Sequence, residues 1–157
     1  MTENWLDIIK VIIFSALPVV EIRGGLPLAV LLGFSKRWAF FYGVLGNTLG
    51  LVLAFFILDY LMPWLLKVDI LRRIYNWSSS RVERKRGRYL RLRYWALFLL
   101  VAIPLPGTGA WTAALASYLL KFNRRRAFIV IFLGILAVGT IILSAGMLTF
   151  HGIRHIL

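Results

Sequence analysis

Residues 127–150 read AFIVIFLGILAVGTIILSAGMLTF, with no charge. Residues 38–62 read WAFFYGVLGNTLGLVLAFFILDYLM, and their single charge is Asp59, near the end. A helix needs ~20 apolar residues to cross the ~30 Å hydrocarbon core of a bilayer, and each stretch exceeds that. The chain is 18.0 kDa, too small to have an interior that could hide two such helices. Its hydrophobic share is 61%, well above the ~45–50% of a soluble domain. These two stretches decide the fold class: an all-α integral membrane protein, taken as a single membrane domain over 1–157.

The net charge is +13, which by itself could suggest nucleic acid. Ten of the 19 basic residues, however, lie between Lys67 and Arg93. Basic residues collect in this way in cytoplasmic loops beside anionic lipid, so membrane lipids are the expected partners and no nucleic acid is. There is no cysteine, which excludes disulfides and thiolate metal sites. The N-terminal segment carries Glu3 and Asp7 instead of a basic stretch, so residues 5–34 are expected to belong to the fold.

The sequence repeats itself. Residues 31–40, LLGFSKRWAF, match 119–128, LLKFNRRRAF, at an offset of 88, with Leu31, Leu32, Phe34, Arg37, Ala39 and Phe40 identical. The same offset pairs Leu17-Pro18 with Leu105-Pro106, and Gly46 with Gly134. Both halves follow one plan: an apolar arm (5–17 or 94–103), a Pro/Gly-rich break (18–27 or 104–109), a second arm (28–34 or 110–120), a basic turn, then the long span. Repeat 1 is 5–62, with a hairpin over 5–34 and a span over 38–62. Repeat 2 is 94–150, with a hairpin over 94–120 and a span over 126–150. A connector, 63–93, joins them.

The arms are too short to cross: 13 residues rise ~20 Å and ten rise ~15 Å. Each arm–break–arm is therefore either a re-entrant hairpin or one kinked span. If re-entrant, residues 63–93 and 121–126 share a side and put fourteen basic residues on it, against Lys36, Arg37 and Arg154 on the other. If kinked, the division is about ten against six. The positive-inside rule favours re-entrant hairpins, a cytoplasmic 63–93 loop and both termini on the outer side of the plasma (inner) membrane. The halves are then inverted, a recurring plan in transporters with sites where the breaks lie. Within the connector, Val68, Ile70, Leu71, Ile74, Tyr75 and Trp77 fall largely on one helical face, predicting an interfacial amphipathic helix. The basic run that follows, 81–93, either sets topology or gathers anionic lipid.

The first break holds Glu21 and Arg23 among Pro18, Gly24, Gly25 and Pro27. Ionisable groups at membrane depth are costly and commonly functional. A buried Glu21 could load and release a proton, and Arg23 could grip a phosphate; alternatively the two tie the hairpin down as a buried ion pair. The second break, Pro104, Pro106, Gly107, Thr108 and Gly109 up to Trp111, offers backbone N–H groups and a hydroxyl, or is a turn needing Pro and Gly for conformation alone. Asn47 and Asp59 are possible cavity-lining polar groups, with helix–helix bonding and pairing to Lys67 as the structural alternatives. Arg124, Arg125 and Arg126 are possible headgroup contacts. His151 and His155 lack a third ligand, so no metal is expected. Without a triad, a P-loop or paired carboxylates, neither a cofactor nor enzymatic activity is expected.

PVVEIRGGLPLAV (18–30), followed by PLPGTGAW (104–111), resembles the family of small multidrug export proteins. That family in turn resembles the DedA superfamily, whose members carry paired re-entrant hairpins and include proposed lipid-carrier translocases and lipid scramblases. On this resemblance Glu21 matches an acidic residue associated with proton-driven function, and Gly46-Asn47 sits where DedA proteins often have Gly-Asp. Leu28-Ala29-Val30 stands where those proteins have a second acid, and the second break lacks their arginine; Arg23 and Arg124–Arg126 could stand in.

The leading expectation is a transporter or flippase of an amphipathic, anionic, lipid-like substrate such as a lipid phosphate, proton-coupled through Glu21, with Arg23 as anion contact. The first alternative is a small-molecule multidrug exporter in which Glu21 neutralises the cargo. The second is a non-transporting scaffold acting through 81–93. Two spans and two hairpins make a thin bundle, so a homodimer is expected.

Overall fold

The computed structural model describes residues 4–65, 67, 69, 73, 90–105 and 107–154, and the described residues form six helices. They are α1 (Trp5–Ala16), α2 (Glu21–Leu31), α3 (Lys36–Leu65), α4 (Leu90–Ala102), α5 (Ala110–Leu119) and α6 (Arg124–Arg154). Two are long and apolar enough to cross a membrane, over Lys36–Trp64 and Arg124–Ala145. Only 39% and 33% of their most apolar windows are buried. A soluble core helix would hide that surface, whereas here it faces outward, as lipid requires. Along α3, Trp38 stacks on Tyr42 at 5.5 Å near one end, and Tyr60 and Trp64 are exposed near the other. Aromatic rings at both ends of an apolar helix match the two interfaces of a bilayer.

The residues group into two units, Met1–Gly50 with Ile135–Leu157, and Leu51–Gly134. In the first, α1 and α2 form an antiparallel hairpin. Ser15 lies against Gly25, and Val11 shares a buried cluster with Ala29 and Phe34. The hairpin is laid along α3 by glycines. Gly46 meets the Ile12 carbonyl and Ser15, Gly50 meets Ala16, and Gly43 meets Ile22 of α2. Residue numbers rise together along α1 and α3, so the two run parallel. Ala16, the last residue of α1, reaches Gly50, half-way along the 30 residues of α3.

In the second unit α4 packs on α5 and runs parallel to the first part of α6. Near the start of α6, Tyr94 meets Phe122 at 5.1 Å between rings. Further in, Gly134 meets Val101 and the Phe98 carbonyl. That contact is about ten residues, or ~15 Å, into α6.

The repeat reappears as matching local geometry. After α2, Phe34 N–H donates to Ala29 O and Gly33 N–H to Val30 O. After α5, Phe122 N–H donates to Ser117 O and Lys121 N–H to Tyr118 O. Each pair is a Schellman cap, and every residue is shifted by 88. The left-handed residues correspond as well, Gly33 at φ 86° and Lys121 at φ 51°. The paired glycines, Gly46 and Gly134, each pack on a carbonyl oxygen and on the side chain three residues later in the first arm of their own hairpin.

The structure corrects the first break. Residues 18–27 were expected to be broken, but α2 begins at Glu21, so Gly24, Gly25 and Pro27 are helical. Only Leu17–Val20 interrupt the backbone, with Pro18 in the turn. The glycines serve close approach: a Cβ on Gly25 would lie 1.7 Å from Ser15 Oγ. Small residues of this kind let membrane helices touch. Pro27 lies inside α2 without a hydrogen bond from its own nitrogen, as membrane helices tolerate. The second break, expected over 104–109, falls between the end of α4 at Ala102 and the start of α5 at Ala110, and Trp111 belongs to the first turn of α5. The interfacial helix expected over 68–77, the run 81–89, Pro106 and His155 lie outside the described residues.

Candidate functional site

Glu21 is the first residue of α2 and is 4% exposed. Its N–H donates to Leu17 O at 3.0 Å across the break. Its φ is +52°, a left-handed conformation uncommon for a residue with a side chain. Such strain costs on the order of 1–3 kcal/mol and clusters at functional positions. One residue thus combines a carboxyl, burial, strained backbone and the tip of a hairpin that reaches the middle of a membrane-length helix. Arg23 follows in the same helical turn and is partly buried. Between them Ile22, fully buried, packs on Gly43 and Gly139 and so fixes the start of α2.

Asn47 lies in the same unit and is fully buried on α3, on the face that carries Gly43, Gly46 and Gly50. Neither polar atom of its amide has a hydrogen-bond partner among the described residues, and the same holds for Ser15 Oγ. Ser15 was not singled out from the sequence. The glycine spacing 43–46–50 in the span is the signal that could have located the α1 crossing, and hence Ser15 at its centre.

The second break is closed by its own side chains. The Thr108 hydroxyl donates to the Leu105 carbonyl at 2.9 Å, with the Ile103 carbonyl at 3.2 Å. Thr112 donates to Gly107 O at 3.0 Å. Gly107 holds φ +77°, a region that costs a glycine nothing. Pro104 and Leu105 are exposed, and Gly109 caps α5. The hydroxyls of Thr108 and Thr112 are thus bonded to carbonyls of the same turn.

Asp59 accepts a hydrogen bond from the Arg124 guanidinium, in place of the expected Lys67. Arg124 also lies over the Phe55 ring at 4.8 Å, and Lys67 sits over Trp64 at 4.7 Å. Asp59, Arg124 and Arg125 line the polar end of a groove of about 700 Å³ whose walls include Phe55 and Phe128. Arg126 lies at the end of a second groove, against α4. No cluster of three metal-ligating side chains occurs among the described residues.

A family profile described as "Putative small multi-drug export protein" matches residues 21–141. The chain belongs to this family. The stretch shared with the small multi-drug export family begins at Glu21 itself and takes in α2 to α5 and most of α6. It includes Asn47, Asp59, Thr108 and the three arginines. The family and the two membrane-length helices give the protein a membrane location. No curated protein and no solved structure matches the chain.

Proposed function

We propose that this protein exports small amphipathic molecules, with Glu21 as the acidic group of the transport path. The observation that carries this reading is the buried, strained Glu21 carboxyl at the tip of the α1–α2 hairpin. An acid held at membrane depth is expensive and is retained where it pairs with cargo or carries a proton.

Both hairpins are read as re-entrant. α1 ends level with the middle of α3, which supports a turn inside the bilayer. The Asp59–Arg124 pair supports the same reading for the second hairpin. It joins the end of α3 to the start of α6, so the chain between them leaves and returns on one side. Loop charge favours the cytoplasm for that side, and hence inverted halves, as in transporters with broken helices. A plasma-membrane homodimer and kinship with the DedA superfamily complete the reading.

A second reading is proton-coupled translocation of an anionic, lipid-like substrate. Arg23, in the same helical turn as Glu21, favours it by offering an anion contact.

Efflux of a fluorescent cationic dye from cells that make the protein tests the first reading. Glu21→Gln at equal membrane abundance should slow efflux to the rate of cells lacking the protein. Unchanged efflux would overturn the role of Glu21. Movement of a fluorescent anionic phospholipid in proteoliposomes, without dye transport, would select the second reading.

A further inference from the structure

The groove between α4 and α6 has no role in the export reading. Its volume is about 480 Å³, within the ~300–1,000 Å³ of small-ligand sites. Trp95, Phe98, Ile129 and Leu133 form its walls, with Tyr94 and Arg126 at one end. Trp95, Ile129 and Leu133 are 62%, 56% and 49% exposed, so the groove opens to the surroundings of the helices. From Arg126 to Leu133 it runs ~10 Å along α6.

Arg126 has no acidic partner among the described residues. The last acidic residue in the chain is Glu83, so 84–157 contain no acid. Asp59 is taken by Arg124. Arg93, one residue from Tyr94, lies over the Phe122 ring at 5.9 Å and adds charge at the same end. Any side-chain carboxylate that pairs with Arg126 would have to come from outside residues 84–157.

We propose that this groove binds one acyl chain of an anionic phospholipid, with its phosphate held by Arg126. An open apolar groove in a bilayer-spanning protein meets hydrocarbon, and a guanidinium at its end pairs with a phosphate bidentately. A cationic drug would be repelled there. The site holds its lipid whether or not the protein exports anything.

The test uses the full chain purified in detergent, with phosphatidylglycerol or phosphatidylcholine of identical acyl chains. Phosphatidylglycerol should raise Tm by roughly 5–10 °C, and phosphatidylcholine by less than half of that. Arg126→Gln and Leu133→Trp should each lose most of the phosphatidylglycerol increment, while Lys36→Gln, which does not line the groove, keeps it. Chain-brominated phosphatidylglycerol should quench the tryptophan fluorescence of the wild type more than chain-brominated phosphatidylcholine does, a readout that needs no groove variant to fold. Equal stabilisation by the two lipids, full retention in Arg126→Gln, or the same increment from inorganic phosphate alone would overturn the proposal. So would a Leu133→Cys disulfide dimer in membranes, which would show that a second copy fills the groove.

Discussion

Gly25 of α2 stands so close to Ser15 of α1 that a methyl group on the glycine would lie 1.7 Å from Ser15 Oγ and 2.8 Å from its Cβ. The first hairpin is closed by that contact, and a side chain there forces the two helices apart. Overpacking of this kind costs about 1–3 kcal/mol. Gly25→Ala should therefore lower Tm by several degrees in a detergent melt. Gly46→Ala should do at least as much, because the obstacle there is the Ile12 carbonyl, which is backbone. A melt unchanged in both variants would contradict the packing described for α1.

Lys121 holds φ +51° at the position where the first half has Gly33. A left-handed residue with a Cβ costs roughly 1–2 kcal/mol, part of which glycine gives back as unfolded-chain entropy. Lys121→Gly should stabilise the protein by up to about 1 kcal/mol, and Gly33→Ala should destabilise it by a similar amount. Opposite shifts in thermal melts check the equivalence of the two turns.

Asp59 and Arg124 are each about half exposed, so their pairing is worth little: about 0–1 kcal/mol. A double-mutant cycle with Asp59→Asn and Arg124→Gln should give a coupling in that range. A large coupling would mean that the pair lies in a drier environment than the helix ends described here.

Much of this architecture is legible in the sequence. The two spans announce themselves by length, and the 88-residue offset marks turns that prove identical down to their hydrogen bonds. The start of α2 is not legible, because a Gly-Gly pair followed by Pro reads as a breaker. Only the partner residue, Ser15, reveals that the glycines are there for contact. The Asp59 partner is hidden for a related reason: Arg124 is 65 residues away, while Lys67 is a plausible neighbour in sequence. Glu21 is legible as an acid beside a break, but its left-handed backbone is a property of the turn geometry and leaves no mark on composition.

The side of the membrane on which equivalent positions emerge tests the account most directly. The chain has no cysteine, so Ser35→Cys and Asn123→Cys, 88 residues apart, can each be labelled alone. Asn123→Cys gives up the Arg126 N–H cap, at 3.2 Å, a loss of about 1 kcal/mol that the fold should tolerate. With re-entrant hairpins, a membrane-impermeant maleimide added to intact cells labels Ser35→Cys and leaves Asn123→Cys unlabelled until the membrane is opened. Labelling of both positions from the same side would mean that each hairpin is a single kinked span, and would contradict the account.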